Sequence, residues 1–152
     1  MAEYLITHDQ DPVFINFISE KLGVNFRQEN SHTLAHIRKN DDGTYTLLAV
    51  ALFDHFSEHH IEVSIASSSY KWATWNYIHA VYEFAFKDGR SRLNMIVEPR
   101  NTNAVTMHEK LGHKREGYLR DWFGEDNDAI VFGLTRRDYL ESKWYKRSPK
   151  NK

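Results

Sequence analysis

Residues 92–117 read RLNMIVEPRNTNAVTMHEKLGHKREG. The apolar run at the start predicts a buried strand from Arg92 to Glu98. An Asn-rich turn follows, and the pattern after it predicts a helix from about Thr102 to Leu111 that ends at Gly112. A new strand is expected from Lys114. This segment therefore predicts a strand, a helix and a strand in succession, which is typical of a fold that mixes helices and strands.

The N-terminal half predicts one helix followed by an antiparallel meander. Asp11-Pro12 precedes apolar residues at three- and four-residue spacing, so Asp11 is the expected N-cap of a helix that ends at Gly23. Three apolar runs then predict strands, the first two joined by a hairpin turn. The strands are Thr33–Arg38, Thr44–Phe53 and His60–Ala66, and the turn is Asn40–Gly43.

The C-terminal half alternates helices and strands. Ser67–Lys71 predicts a loop, and Trp72–Phe86 predicts a helix with its apolar side chains on one side. Strands are expected near Lys114–Phe123 and Ala129–Leu134, with a last turn of helix at Arg136–Lys143. The order of elements predicts an α/β fold, with a mixed, mostly antiparallel central sheet, a parallel strand–helix–strand crossover and flanking helices.

Composition limits the classes of protein and of chemistry. The 152 residues are 41% hydrophobic, enough for one globular domain over residues 1–142, and residues 143–152 are expected to be a basic, flexible tail. The net charge of -1 gives no field for binding nucleic acid or an anionic membrane. The absence of cysteine excludes disulfides, thiolate zinc sites and a cysteine nucleophile. No signal-like or membrane-spanning run is present, so the cytoplasm is the predicted location.

The predicted junction of strand and helix at Ser67–Thr74 is a candidate anion site. A helix N-terminus directs backbone N–H groups toward one point, which suits a pyrophosphate, and Lys71 adds a positive charge. The alternative is an ordinary helix start with Trp72 in the core. The candidate cofactor-binding residues here are Ser67, Ser68, Ser69, Lys71, Trp72, Ala73 and Thr74.

Several motifs, in a fixed order, together resemble the GNAT N-acetyltransferase superfamily. The helix ending His108-Glu-Lys-Leu-Gly112 is similar to the family's Tyr-Glu-Lys-Leu-Gly, and Glu116–Arg120 and Asp128–Arg136 resemble its last two strands. Lys71-Trp-Ala-Thr74 is similar to a divergent group associated with bacteriophage genomes, in which such a sequence replaces the glycines of the pyrophosphate loop. The resemblance covers roughly residues 44–138 and implies a GNAT-like fold that uses acetyl-CoA.

The resemblance also implies roles for three residues of the helix after the fifth predicted strand. Asn101 stands where the family contacts the pantetheine arm, and Ala104 occupies the position of an assisting Ser; Asn101 could equally serve as a helix cap. His108 replaces a Tyr that often protonates the departing CoA thiolate, and an imidazole has a suitable pKa for that role. The alternative for His108 is a partly exposed helix residue without a task.

Two carboxylates are candidates for the general base. Apolar residues alternate with polar ones from His60 to Ala66, which places Glu62 on the polar side of its strand. In the family, a carboxylate on this strand often deprotonates the acceptor ammonium, so Glu62 is the first candidate and Glu98, at the end of the next strand, is the second. A solvent-facing structural role is the alternative for both.

The implied function is direct transfer of an acetyl group from acetyl-CoA to an amine acceptor in a ternary complex, because no cysteine is present to carry the acyl group. A strand backbone N–H is expected to polarise the thioester carbonyl. The acceptor, a protein or a small molecule, is not identified. The alternative function is a catalytically degenerate, phage-type binding protein with this fold that acts on a host partner, since the loop glycines, the Ser and the Tyr are all replaced.

Other partners are not favoured by the sequence, apart from a second copy of the chain. Asp54-His55 and His59-His60 resemble a metal cluster, but they lie in a predicted turn without cysteine, so no metal site is expected. The basic tail with Trp144 and Tyr145 resembles a nucleic-acid contact, although such tails are more often solvated. The 14% aromatic content favours a homodimer interface.

Overall fold

The computed structural model describes residues 3–8 and 12–147, without the side chain of Gln28. Within these ranges the chain forms, together with three short 3-10 helices, seven strands and five α-helices. In chain order they are β1 (Glu3–Thr7), α1 (Pro12–Leu22), β2 (His32–Lys39), β3 (Tyr45–Asp54), β4 (His60–Ser67), α2 (Trp75–Phe86), β5 (Arg92–Val97), α3 (Thr102–Lys110), β6 (Lys114–Leu119), β7 (Ala129–Thr135), α4 (Arg136–Glu141) and α5 (Lys143–Lys146). None of these described helices is long and apolar enough to cross a membrane.

The strands form one sheet with the order β1-β2-β3-β4-β5-β7-β6. β4 and β5 pair in parallel, with α2 as the crossover between them, and the other neighbouring strands pair antiparallel. The predicted α/β fold with its mixed, mostly antiparallel sheet is confirmed. The edge strand β1 was not predicted, because its five residues are largely exposed and carry no clear alternation. Pairing with β2, from Glu3↔Lys39 to Thr7↔Ala35, defines it.

A gap opens in the middle of the sheet between β4 and β5. Their parallel pairing runs from His60↔Arg92 to Glu62↔Asn94 and stops there among the described residues. Beyond Glu62, β4 continues to Ser67 along β3, to which it stays paired. The two strands therefore separate at Glu62 and leave one edge of β4 without a strand partner, which positions the site described below.

The sheet buries a different layer on each face. On one face the apolar side of α2, including Tyr77, Val81 and Ala85, packs on β3, β4, β5 and β7, and forms the larger core. On the other face Phe14 and Ile18 of α1 pack on β2, β3 and β4, and form the smaller core. Glu62 alternates with core-facing residues of β4 and so lies on the α1 face, beyond the stretch that α1 covers.

Two predicted boundaries are wrong for reasons of turn and cap chemistry. The helix expected from Trp72 begins at Trp75, because the Thr74 side chain accepts a hydrogen bond from the Tyr77 N–H and caps α2. The strand expected to reach Phe123 ends at Leu119. A turn follows in which Asp121 and Asp126 have φ values of 57° and 61°, in the left-handed region.

Predictions were made for both ends of the chain, and the structure describes only part of each end. The predicted N-cap of α1, Asp11, lies outside the described residues. Over residues 143–147 the structure differs from the expected flexible tail, since α5 forms there and Trp144 packs against Trp75 with ring centroids 4.4 Å apart. Residues 148–152 lie outside the described ranges.

Candidate functional site

A cavity of about 1040 Å³ lies where β4 and β5 separate. It is lined by the chain after α1, the ends of β3 and β5, the middle of β4, one side of α3 and the loop between β6 and β7. The lining residues are 21–27, 30, 54–56, 62–65, 96–98, 101, 104, 107–108, 122–123 and 127. Five of the residues predicted from sequence line this one cavity: Glu62, Glu98, Asn101, Ala104 and His108. The Ser67–Thr74 segment does not line it, although β4 connects the two regions.

Glu62 belongs to a compact group of titratable side chains at the end of β3 and the start of β4. Asp54 pairs with Glu62 across the two strands, and both side chains are largely buried, with 14% and 16% of their surface exposed. His55 Nδ1 lies 3.0 Å from Asp54 Oδ1 and 3.5 Å from Glu62 Oε2. His55 has a φ of 47°, a costly value for a residue other than glycine. We call Asp54, His55 and Glu62 the carboxylate group.

Burial and charge shift the pKa values of the carboxylate group in a consistent direction. Burial raises the pKa of Glu62, and the negative charge of Asp54 raises it further, while His55 opposes this. Burial also raises the pKa of Asp54. The hydrogen bond to Asp54 is the main cause of a raised pKa for His55. A carboxylate with a raised pKa is a stronger base once it is ionised, so Glu62 can accept a proton from an acceptor amine.

The same group is the set of side chains in the described ranges that could hold a cation. Its ligand atoms lie within 4.8 Å of one another. His55, when protonated, places one positive charge between the two carboxylates and offsets part of their negative charge. His59, which the sequence places near His55, instead contacts Glu58 at 2.9 Å and is exposed.

Glu98 and Asn101 line the same cavity from the segment between β5 and α3. The Glu98 side chain is 33% exposed, and its Oε1 lies 3.3 Å from a guanidinium nitrogen of Arg100. The Asn101 side chain accepts a hydrogen bond from the Ala104 N–H at 3.2 Å and caps α3. The cap uses the carbonyl oxygen of Asn101 and not its NH₂ group, so the cap and a ligand contact are compatible.

His108 lies in α3 with 6% of its surface exposed, stacked on Phe132 at 5.1 Å between ring centroids. Its Nδ1 lies 2.9 Å from Nδ1 of His113, and Nε2 of His113 lies 2.7 Å from the Tyr82 hydroxyl. Gly112, with a φ of 85°, reverses the chain after α3, and the His113 N–H donates to the His108 carbonyl at 3.0 Å. We call His108, His113 and Tyr82 the buried chain.

Burial keeps the buried chain uncharged. It lowers the pKa of His108 to about 4 and, together with the charge of His108, lowers that of His113 to about 3. Burial also raises the pKa of Tyr82. Both imidazoles are therefore neutral at pH 7, and His108 presents a neutral ring to the cavity.

The Ser67–Thr74 segment is engaged in local hydrogen bonds. Ser69 Oγ accepts from the Lys71 N–H at 3.2 Å, and Thr74 caps α2. Trp72 is buried, and its carbonyl accepts from Nδ1 of His36 at 2.8 Å. Ser68 Oγ donates to the Leu47 carbonyl at 2.5 Å. Trp72 thus belongs to the core, and the pyrophosphate role of the segment stays a prediction.

Solved structures with the same arrangement of helices and strands are acetyltransferases. The spermidine/spermine N-acetyltransferase of Vibrio cholerae superposes with a TM-score of 0.67 at 13% identity, over 91% of this chain and 96% of that chain. The ribosomal-protein-S5-alanine acetyltransferase of Vibrio fischeri superposes with a TM-score of 0.66 at 14% identity, over 90% and 94%. The chain has the GNAT fold. At this identity the likeness concerns the fold alone.

No protein-family model matches the chain, and no curated protein matches it in sequence. The functional role of each candidate residue in this chain therefore rests on the geometry of its own side chain. Sequence reasoning did not assign Asp54, His55, His113 or Tyr82 to the site. The β3–β4 register would have revealed Asp54, because Asp54 pairs with Glu62, whereas the position of His55 also depends on its left-handed backbone. His113 and Tyr82 become neighbours of His108 only through packing on the sheet.

Proposed function

We propose that this protein is an N-acetyltransferase that moves an acetyl group from acetyl-CoA to an amine acceptor, directly in a ternary complex. The observation that carries the proposal is that Glu62 and His108 line one cavity at the gap between β4 and β5. The GNAT fold of the chain supports acyl transfer in general. The cytoplasm is the location we expect for such an enzyme.

The gap fits an extended thioester arm. Beyond Glu62 one edge of β4 has no strand partner, so its backbone groups are available to a ligand that lies along the strand. Acetyl-CoA supplies the activated acetyl group when it is bound. A β4 backbone N–H near Val63 is suited to hold the carbonyl oxygen of the acetyl group, because a fixed backbone donor needs no reorganisation. Asn101 and Ala104, at the start of α3, are proposed to contact the pantetheine arm.

The residues at the C-terminal end of β4 are proposed to hold the pyrophosphate. Lys71 supplies the positive charge, and the N-terminus of α2 supplies its dipole and backbone donors. The backbone around this position belongs to Ser67, Ser68, Ser69, Trp72, Ala73 and Thr74. The burial of Trp72 supports a scaffolding role for this residue within the loop.

The carboxylate group is proposed to receive the acceptor amine. Glu62 takes the proton from the amine, directly or through water, and its raised pKa makes it a stronger base. Asp54 adds negative charge that favours a cationic acceptor. Glu98, which also lines the cavity, is the second candidate for the base. The two solved neighbours act on spermidine or spermine and on a ribosomal-protein alanine, so small polyamines and peptide N-termini are both suitable probes.

A second candidate function is a phage-type binding protein that keeps the fold, lacks acetyl transfer and acts on a host partner. The observation that favours it is the Ser67–Thr74 segment, where side chains already occupy the Lys71 and Tyr77 N–H groups. A buried Trp72 stands where the resemblance expects glycine. This candidate predicts no binding of acetyl-CoA.

Isothermal titration with acetyl-CoA, and with dephospho-CoA alongside, separates the two candidates. The acetyltransferase predicts saturable one-to-one binding that Lys71→Ala weakens. Lys87→Ala, at the other end of α2, is the matched control and should leave the affinity unchanged. Absence of binding at millimolar ligand would overturn the acetyltransferase proposal. Binding without transfer to any polyamine or peptide amine would favour the second candidate.

A further inference from the structure

The three side chains of the buried chain are linked by two hydrogen bonds, and the direction of donation can be deduced. Two imidazole nitrogens, Nδ1 of His108 and Nδ1 of His113, face each other at 2.9 Å, so one of them carries the hydrogen and the other accepts it. The Tyr82 hydroxyl faces Nε2 of His113 at 2.7 Å. These three groups therefore have two possible settings, in which all the donors point either toward the cavity or away from it.

The tyrosine decides between the two settings. Among the described residues, His113 Nε2 is the hydrogen-bond partner found for the Tyr82 hydroxyl, and Tyr82 is only 2% exposed. If the hydroxyl donates to Nε2, His113 must carry its hydrogen on Nδ1 and donate to Nδ1 of His108. In the opposite setting the buried Tyr82 O–H would lose its acceptor, which is costly in a low-dielectric interior.

The first setting determines which atom His108 offers to the cavity. When its Nδ1 accepts from His113, a neutral His108 carries its hydrogen on Nε2. Nε2 lies on the side of the ring opposite Nδ1, and His108 lines the cavity. The ring is held against Phe132, which limits its rotation.

We propose that Tyr82 and His113 are positioning residues that hold His108 as the Nε2–H tautomer, with this N–H directed into the cavity toward the acyl sulfur. The proposal rests on the proposed function for the identity of the ligand. It assigns His108 the role of a neutral hydrogen-bond donor rather than that of a charged acid.

The chemistry of transfer is compatible with a neutral donor. The amine nitrogen forms the new C–N bond as the C–S bond breaks, and Glu62 or an ordered water takes the amine proton. The sulfur leaves with the electron pair of the C–S bond and afterwards takes a proton from water. The His108 N–H stabilises the developing charge on sulfur and keeps its own hydrogen, because loss of that hydrogen would leave an imidazolate in an apolar site.

Histidine tautomers can be measured by two-bond ¹H–¹⁵N correlation spectra of the full chain without any ligand. The expected result at pH 7 is His108 protonated on Nε2 and His113 protonated on Nδ1. A spectrum with His108 protonated on Nδ1 would overturn the proposal. Because the wild-type protein suffices for this test, it does not depend on whether a variant folds.

Tyr82→Phe tests the role of the tyrosine, and Tyr77→Phe is the matched control. Both remove one buried hydroxyl from α2, but the Tyr77 hydroxyl donates to the Leu34 carbonyl and not to the buried chain. Without the hydroxyl, Nε2 of His113 has no partner in either setting, so Tyr82→Phe should let a tautomer with His108 protonated on Nδ1 become populated beside the wild-type one, while Tyr77→Phe should leave both tautomers unchanged. Unchanged tautomers in Tyr82→Phe would overturn the role of Tyr82.

Kinetics then separate this proposal from the proposed function. Tyr82→Phe should lower kcat by about two- to tenfold with an unchanged KM for acetyl-CoA, since a fraction of His108 no longer offers a donor to the developing charge. An unchanged kcat would show that the buried chain has a structural role only. If no acetyl transfer is detected in the wild-type protein, the proposed function fails while the tautomer result still stands on its own.

Discussion

His55 and His108 line the same cavity, yet their pKa values shift in opposite directions. His55 is 70% exposed and contacts Asp54, whose carboxylate raises its pKa. His108 is buried against Phe132 with His113 as its neighbour, and burial lowers its pKa to about 4. One wall of the cavity is therefore charged and the other is neutral, although both carry histidine. The difference shows that the environment, not the residue type, determines which form of an imidazole is available.

For the proposed acetyl transfer, this difference assigns a separate role to each of the two walls. The carboxylate group is suited to attract a cationic amine and to take its proton. The buried chain is suited to face a soft, weakly hydrated sulfur with a fixed neutral donor. Neither wall would suit the other role, because a charged group in the buried wall would lack a counter-ion and a neutral imidazole would attract no ammonium.

The largest effect is expected from the charged wall. Glu62→Gln should lower kcat for acetyl transfer by about 10²–10⁴-fold, because the amide cannot accept the amine proton. The affinity for acetyl-CoA, measured by titration, should not change. Glu58→Gln is the matched control, since Glu58 is exposed in the turn before β4. Activity of Glu62→Gln at the wild-type level would move the base to Glu98 or to water.

The neutral wall should give the next largest effect, as a dependence of stability on pH. The folded pKa values of His108 and His113, about 4 and about 3, lie below the ordinary value of 6.5. The unfolded chain therefore binds protons first, and stability falls as the pH falls from 6.5 toward 4, by up to about 1.4 kcal/mol per pH unit for each histidine. Denaturant unfolding at pH 7 and pH 5 measures this loss.

Variants make the stability prediction specific to the buried chain. His108→Gln removes one of the two groups and should reduce the loss of stability between pH 7 and pH 5. His59→Gln, at an exposed position, should leave the loss as it is in the wild type. A wild-type protein whose stability does not fall between these pH values would contradict neutral, buried imidazoles.

The smallest effect is expected from His55→Gln. His55 lowers the pKa of Glu62 against the larger raising effects of burial and Asp54, so its removal should raise that pKa further. A higher pKa reduces the ionised fraction of Glu62 at acidic pH, so the acid limb of the kcat/KM profile should move to higher pH. At pH 7 we expect less than about tenfold loss of activity. A shift to lower pH would contradict the pairing of His55 with Glu62.

Local patterns were sufficient for most of the fold. α1 and the strands β2–β5 follow from side-chain periodicity and from turn residues such as Gly23 and Gly43, which have positive φ values. β1 could not be predicted, because its pairing with β2 and not its own sequence makes it a strand. The start of α2 was missed because Thr74 caps the helix two residues after Trp72, and capping competes with apolar spacing in setting where a helix begins.

The candidate site also has features that the sequence predicts and features that depend on tertiary contacts. Alternation along β4 is a property of the sequence, and it placed Glu62 on the polar side of its strand. The contact of Glu62 with His55 depends on the β3–β4 register and on the left-handed backbone of His55, neither of which the residue pattern shows. The contact of His108 with His113 depends on the chain reversal at Gly112 and on packing against Phe132.

Residue types and their spacing determined most of the order of the elements, the mixed sheet, and the presence of the Glu62 carboxylate and the His108 imidazole. Tertiary structure decided that both face one cavity and that one histidine is charged more readily while another stays neutral. The physical reason is range: caps, turns and periodicity act over a few residues, whereas burial and charge depend on whatever the fold brings near.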